Sequence, residues 1–477
     1  MARIAVIGAG LGALAAAARL AVAGHKVTVY ERTATYGGAV GRFERDGFAF
    51  DTGPGLLHLP AVYRDLFVKT GKEPLESCVE LTQVDPASRH VFADGTTVDL
   101  PNASRAGTLS ALDAALGEGA GERWGDFLGR AREAWDRTRR PLLEEPQPGD
   151  VSALAREPYP ALKAGFLRRP TTTLAQVAAR ELRDPRLVAL LDAYAWSYGF
   201  HLPTAPASAA VLPYMEQTFG SWYVAGGLRA LATAVYERCL QRRVEFVFGA
   251  EVTGVRTEGG RATGIELADG ETVEADHVVA GAPVPALYRE HVVPWERQDE
   301  WPRHQTKQPG RVTVCLALRG AREADAVHRT VVHGVDDFPT VTVLRPDDPQ
   351  LRPDGDHESV TLASTQYLQP GTDWAEIAGR MTAQAEKAVP GLRERLLWQE
   401  VRTPEDTLRE TGAAEVPGPA LAGAGGRFLP AANLSPLPGL YFVGGWSHPG
   451  GGLAHAGMSG ALVAGLIVEG ADFRGSQ

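Results

Sequence analysis

The chain opens with an apolar run, Arg3 to Ile7, that stops abruptly in glycines: Gly8-Ala9-Gly10-Leu11-Gly12-Ala13. A short run of this kind fits a strand buried on both faces of a parallel sheet. The alanine-rich stretch from about Leu14 to Ala23 predicts a helix that ends at Gly24, and Lys26 to Tyr30 predicts the next strand. Two parallel strands joined by a helix form a β-α-β unit, which commits the chain to an α/β fold. Gly8, Gly10 and Ala13 fit G-x-G-x-x-G/A. Gly8 allows the tight turn out of the strand, Gly10 lets backbone approach a pyrophosphate, and Ala13 is small enough for close helix–strand packing. The helix N-terminus then offers free N–H groups and a positive dipole end to the phosphates. Glu31 lies 23 residues after Gly8, where its carboxylate can accept from ribose hydroxyls and disfavours a 2′-phosphate. A glycine pattern alone is weak; strand, helix and acid at these positions make it a dinucleotide site.

With 477 residues, two connected domains are expected. The formal charge of −10, with no basic tract to override it, argues against a nucleic-acid partner. Cys78, Cys239 and Cys315 lie far apart and form no CxxC, so they read as reduced thiols of a cytoplasmic protein, and no metal site is expected. Met1-Ala-Arg before an apolar run imitates a signal peptide, but the early glycines fit folded structure better. No apolar run reaches transmembrane length, so a soluble protein, or one held to the inner face of a membrane from one side, is expected.

Further along, helical patterns cover Trp124 to Arg140 and Thr173 to Tyr198, separated by a proline-rich passage from Pro141 to Pro160. After Gly226-Gly227 a helix is predicted over Leu228 to Gln241. Strands follow at Val244 to Phe248, Val252 to Thr257, Ala262 to Leu267 and His277 to Ala280, with Asp269-Gly270 as a hairpin turn. Arg311 to Leu318, Thr340 to Leu344 and Ser359 to Thr365 read as strands, and Trp374 to Ala388 as a helix. Leu440 to Gly444 is a last strand and Met458 to Gly470 a last helix. These patterns divide the chain into a discontinuous dinucleotide-binding domain (1–104, 225–290 and 425–477) and an inserted α+β substrate domain (105–224 and 291–424).

Two further segments identify the dinucleotide. Thr35-Tyr36-Gly37-Gly38-Ala39-Val40-Gly41-Arg42 is followed by Phe48-Ala49-Phe50-Asp51-Thr52-Gly53-Pro54-Gly55, and Gly439-Leu440-Tyr441-Phe442-Val443-Gly444-Gly445-Trp446-Ser447-His448-Pro449-Gly450-Gly451-Gly452-Leu453 stands near the end. Here the chain resembles the flavoproteins that include amine oxidases, protoporphyrinogen oxidase and carotenoid desaturases. The terminal HPGGG, Glu216 to Trp222 and Gly226 to Leu231 look like the bacterial phytoene desaturase branch. The resemblance implies a Rossmann-type FAD domain of the glutathione-reductase, amine-oxidase type. It implies that Gly37 and Gly38 pass close to the FAD diphosphate, that Arg42 meets the phosphates, and that Val252 touches the adenine through its backbone. Gly444, Gly445, Gly452 and Leu453 would face the flavin, where a helix N-terminus favours the negative charge of the reduced ring. Leu11, Gly12 and Arg32, beside the motif residues, complete the expected cofactor set.

The chain also departs from the family. Gly445 stands where amine oxidases typically place an acid. Gly281-Ala282-Pro283 replaces the Asn-Ala-Asp frequent in desaturases, and Ala454-His455-Ala456-Gly457 replaces a proline and apolar residues. Gly423-Ala424-Gly425-Gly426 is glycine-rich, but Phe428 stands where a third small residue is needed, so it reads as a loop. The resemblance implies removal of hydride from a small lipophilic, polyene-like substrate to extend its conjugation, with oxygen or a quinone as final electron acceptor. His448 and His455 are the candidate proton acceptors, against a loop-shaping role for His448. Asp51 is expected to fix its loop, and His58 divides evenly between structure and chemistry. Tyr159, Leu162, Phe166, Leu167, Arg168 and Arg169 form either an apolar patch for peripheral membrane contact or an ordinary packed helix. Two other readings compete: an FAD oxidase or dehydrogenase of another natural product, and a non-redox polyene isomerase or a partner protein that merely retains FAD.

Overall fold

The computed structural model describes residues 1–164, 167–169, 171–293, 309–335 and 338–475. In chain order the elements that frame the site begin with β1 (Arg3–Ile7), α1 (Leu11–Val22), β2 (Lys26–Glu31), β3 (Ser88–Val91) and β4 (Thr97–Leu100). Four helices follow: α2 (Ala120–Arg139), α3 (Pro185–Ser197), α4 (Val211–Phe219) and α5 (Leu228–Gln241). Next come β5 (Glu245–Phe248), β6 (Val252–Glu258), β7 (Arg261–Leu267), β8 (His277–Ala280), β9 (Pro309–Arg319), β10 (Arg329–Val332), β11 (Val341–Leu344) and β12 (His357–Tyr367). The last are α6 (Trp374–Ala385), β13 (Leu396–Arg402), β14 (Leu440–Phe442) and α7 (Leu453–Glu469).

A five-stranded parallel sheet runs in the order β5-β2-β1-β8-β14. β1 sits at its centre, and the chain leaves it to one side through β2 and reaches the other side through β8. That reversal opens a crevice at the carboxyl ends of β1 and β8, where α/β sheets of this type bind ligands. Gly281 N–H donates to the Ile7 carbonyl (2.7 Å) at this point.

α1 packs directly on α7, and small residues make the approach possible. A Cβ on Gly460 would lie 2.6 Å from the Gly12 carbonyl oxygen, and one on Gly12 would lie 2.7 Å from Gly444 Cα. Ala15 to Ala18 are fully buried. A helix this apolar on all sides belongs inside the protein rather than on its surface.

A second, seven-stranded sheet runs β13-β9-β12-β11-β10-β3-β4, antiparallel except where β10 pairs with β3. The two faces of β9 do different work, as the period-two alternation of a strand requires. Val312, Val314, Leu316 and Leu318 are buried in one cluster with Ala378, Met381 and Ala385 of α6. On the other face Cys315 and Ala317 pack with Phe48 and Phe50, while Arg311 and Thr313 line a cavity. Across that cavity lie α3 and α4, held by a core that includes Trp124, Leu187, Leu190, Leu191 and Leu212.

Several expectations shift. Residues 88–100 pair into the seven-stranded sheet (Thr330 opposite Arg89). The helix expected over Thr173 to Tyr198 breaks: Arg183 has φ 61, Asp184 caps α3 by accepting from Arg186 N–H, and Pro185 starts it. A proline inside a helix costs about 3 kcal/mol, but at the first position it costs nothing. The last helix begins at Leu453 instead of Met458, which puts His455 in its first turn. Leu162–Ala164 and Leu167–Arg169 pair as antiparallel strands in place of a helix. Tyr159 is buried and donates to Glu181 (2.8 Å), whereas Phe166 and the side chains of Leu167, Arg168 and Arg169 lie outside the described residues. Among the described residues no helix is long and apolar enough to cross a membrane.

Candidate active site

One cavity of about 1060 Å³ runs from the β1–α1 turn to the face of the seven-stranded sheet. Gly8, Gly10, Leu11, Gly12, Ala13, Glu31, Arg32, Gly37, Gly38, Arg42, Val252, Gly444, Gly445, Gly452, Leu453 and His455 all line it, and His448 does not. The tertiary fold therefore brings together segments from residues 7 to 42, 250 to 252 and 444 to 456.

The glycine turn is built as a cradle. Gly8 has φ +85, Gly37 φ +102 and Gly38 φ +57, all left-handed values that favour glycine. Gly37 N–H donates to the Ala9 carbonyl (2.8 Å), which clamps the second glycine loop over the first. A Cβ on Gly38 would lie 3.1 Å from Gly10 Cα, while a Cβ on Gly10 would meet nothing within 4 Å. The space above Gly10 is thus free for a ligand. The first-turn amides of α1 face the same side without intrahelical acceptors.

Glu31 carries more than the sequence indicates. Its carboxylate accepts from Ala9 N–H (2.7 Å), Thr33 N–H (2.9 Å) and the Thr33 hydroxyl (2.9 Å). It ties the glycine turn to the end of β2. Two carboxylate oxygens offer about four acceptor sites, so capacity remains for a ribose hydroxyl.

The cations expected at the cofactor both line the cavity and already have protein partners. Arg42 reaches the cavity, but its guanidinium already donates to the carbonyls of Gly226 and Gln350 (3.3 Å each) and pairs with Glu44. Arg32 donates to the Arg409 carbonyl (3.0 Å). Arg229, which sequence reasoning passed over, also lines the cavity. It stacks 4.1 Å from the Tyr36 ring, donates to the Tyr36 carbonyl and to Thr35 Oγ1 (2.6 Å), and so supports the Gly37-Gly38 loop from behind. The signal that could have found it is its place in the first turn of the helix after Gly226-Gly227.

Asp51 fixes that helix. Its carboxylate accepts from Leu228 N–H (2.7 Å) and Arg229 N–H (3.2 Å), satisfying first-turn donors of α5. Burial pushes its pKa up to about 6, against the pull of those two N–H groups and of Arg42 and Arg229.

The terminal glycine loop hangs on a buried network. Gly444 N–H donates to Ser459 Oγ (3.0 Å), and the Asn433 amide donates to the carbonyls of Phe442 (3.1 Å) and His448 (2.7 Å). His448 is fully buried, its Nε2–H donates to the Glu145 carbonyl (2.9 Å), and burial lowers its pKa to about 4. It is tied into the loop's hydrogen-bond network, the loop-shaping alternative raised for it, and does not line the cavity. His455 does face the cavity, and burial lowers it too to about 4, with His448 adding to the effect. It is a neutral imidazole near pH 7. His58 faces the cavity with Nε2 3.6 Å from Glu216, whose carboxylate also pairs with Arg329.

A flavin dinucleotide fits these residues. The space above Gly10, the first turn of α1 and the Gly37-Gly38 loop suit a pyrophosphate, and Glu31 suits a ribose. The segment from Gly444 to His455 supplies a second helix N-terminus in the same cavity.

Known proteins agree. Residues 14–468 match the family model for flavin containing amine oxidoreductase. The chain is 29% identical to a 4,4'-diapolycopene oxygenase from Methylomonas sp, covering 98% of both chains. It is 28% identical to a zeta-carotene-forming phytoene desaturase from Myxococcus xanthus, covering 99% of this chain and 95% of that one. Among solved structures, a putrescine oxidase bound to putrescine superposes with a TM-score of 0.69 at 16% identity, over 98% of this chain and 99% of that one. An oxidoreductase from Methanosarcina mazei gives 0.68 at 18% identity, over 97% and 99%. This chain belongs to the flavin containing amine oxidoreductase family and is an FAD-dependent oxidoreductase.

Proposed function

We propose that the protein is an FAD-dependent desaturase of a carotenoid or related polyene, with oxygen or a quinone as the final electron acceptor. The observation that carries this reading is near-full-length similarity to relatives named for carotenoid desaturation and oxygenation. FAD, when bound, supplies a two-electron hydride acceptor. The Gly8–Ala13 turn, Gly37-Gly38 and Glu31 would hold its pyrophosphate and adenosine end, with Val252 beside the adenine, and Gly444, Gly445, Gly452 and Leu453 would face its ring. The seven-stranded sheet and α3 would enclose the substrate. His455, neutral and facing the cavity, can take the proton from the carbon next to the one that loses hydride. Its low basicity suits a proton made acidic by an adjacent delocalised cation.

Polar side chains on the sheet side of the cavity favour a second reading, an FAD oxidoreductase of another natural product. Thr313, Thr342, Thr361, Ser364, Thr365 and Arg311 all line it. The test that separates the two is co-expression with enzymes that supply phytoene or partly desaturated carotenoids, followed by pigment analysis. A red shift that disappears in Gly10→Val supports the desaturase. Unchanged pigments with FAD bound and the protein folded favour the second reading.

A further inference from the structure

Three arginines reach the cavity from the seven-stranded sheet, and they differ in one respect. Arg329 of β10 pairs with the buried Glu216. Arg402 of β13 pairs with Glu410 (2.6 Å). Arg311 of β9 has no carboxylate partner among the described residues: its Nη2 donates to the Ser197 carbonyl (3.1 Å), and its electrostatic neighbour is the Tyr198 hydroxyl. Asp192 also lines the cavity, but its electrostatic neighbours are His201 and Tyr367. Partial desolvation by the protein around it pushes the Arg311 pKa down, with the Tyr198 hydroxyl acting against it.

The register places this half-buried side chain on the cavity face of the sheet. Arg311 sits opposite Thr365 in β12, two residues from Thr313, on the face of the sheet that looks into the cavity. Ser197 and Tyr198 close over it from the end of α3. A cation facing a cavity without a counter-charge favours an anion there, and guanidinium presents a planar fork that matches a carboxylate with two parallel hydrogen bonds. One Nη is engaged by Ser197, and the other donors have no hydrogen-bond partner among the described residues.

We propose that Arg311 anchors a carboxylate at one end of the substrate, so that the molecule turned over is a polyene acid and not a pure hydrocarbon. This rests on the polyene reading above and narrows its substrate class. Tyr198 and Thr365 flank the anchor and would complete the recognition of the acid oxygens.

The probes are all-trans-retinoic acid and its methyl ester, titrated into the oxidised FAD-bound protein and followed by perturbation of the flavin absorbance. The acid is expected to bind about ten-fold or more tightly than the ester, the usual range for hydrogen bonds to a charged group. Arg311→Leu should erase that preference and Arg311→Lys should keep part of it. Equal affinity for acid and ester, or no binding of the acid, overturns the proposal without need of any variant. An acid preference that survives in a folded Arg311→Leu overturns it as well. The parent reading is separable: an intact acid preference with no flavin reduction by any polyene removes the desaturase and leaves Arg311 as a carboxylate-binding residue, whereas flavin reduction by phytoene without an acid preference keeps the desaturase and removes the anchor.

Discussion

Gly10 and Gly12 stand two positions apart in one turn yet answer to different constraints. The Cβ of a residue at 10 would enter free space in the cavity, whereas at 12 it would lie 2.7 Å from Gly444 Cα and 2.9 Å from the Ala456 carbonyl oxygen. Gly10→Val should therefore fold and lose FAD, with the stability of the apoprotein unchanged within about 0.5 kcal/mol. Gly12→Val should lower stability by about 1–3 kcal/mol through overpacking between α1 and the last glycine loop. Flavin content after purification and urea melts of the apoproteins distinguish them; equal flavin loss with equal destabilisation would refute the assignment. Gly281 shows the same logic in reverse. A Cβ there would lie 2.9 Å from Ala13 Cβ, so alanine in the third motif position and glycine at 281 accommodate each other. That accounts for the departure from an asparagine at this point.

At the scale of elements, α5 starts without a capping side chain of its own, because its N-cap is Gly227 at φ +82. Asp51 caps it from a distant part of the sequence, and a Cβ at 227 would collide with that carboxylate at 2.7 Å. Asp51→Ala should cost about 0.5–2 kcal/mol, the range for loss of a helix cap. It should also loosen Arg229 behind the Gly37-Gly38 loop, read as weaker FAD retention. A thermal melt unchanged from wild type would remove this role. The motif residues Asp51 and Gly226-Gly227 were legible in the sequence as a pair of resemblances; their direct contact was not, because 175 or more residues separate them.

For the whole molecule, burial sets the acid limit of stability. His328, His333, His448 and His455 are each lowered to about 4 from an ordinary 6.5, first by desolvation. Between pH 6.5 and 4 the unfolded chain binds these protons and the folded chain does not, so stability is full above 6.5 and is lost as pH falls towards 4. Asp51, raised to about 6, and Glu157, raised to about 7, work in the opposite direction, because the folded state keeps their protons longer. Four histidines against two carboxyls leave a net loss, with a slope of roughly 2–3 kcal/mol per pH unit at most. Denaturant melts at pH 4.5, 5.5, 6.5 and 7.5 should show it, and the slope should fall in a His448→Gln, His455→Gln double variant. Stability that is flat or rises on acidification would contradict this account.

The sequence by itself determined the elements whose rules are local. The strand from Arg3 to Ile7, the glycine turn, α1, the limits of α5 and the alternation in β9 follow from period, propensity and turn chemistry over neighbouring residues. Only the tertiary structure decided which distant pieces share the cavity. The pairing of β3 with β10 puts residues 88–100 in the seven-stranded sheet, and Arg229 meets Tyr36 across 193 residues. Whether a histidine faces the cavity or the loop's own hydrogen-bond network is likewise undecided by its neighbours in sequence. His448 and His455 stand seven residues apart, and the difference lies in what surrounds each: the Glu145 carbonyl for one and open cavity for the other. Burial and long-range contact fix charge and access, and neither is a property of a residue's position along the chain.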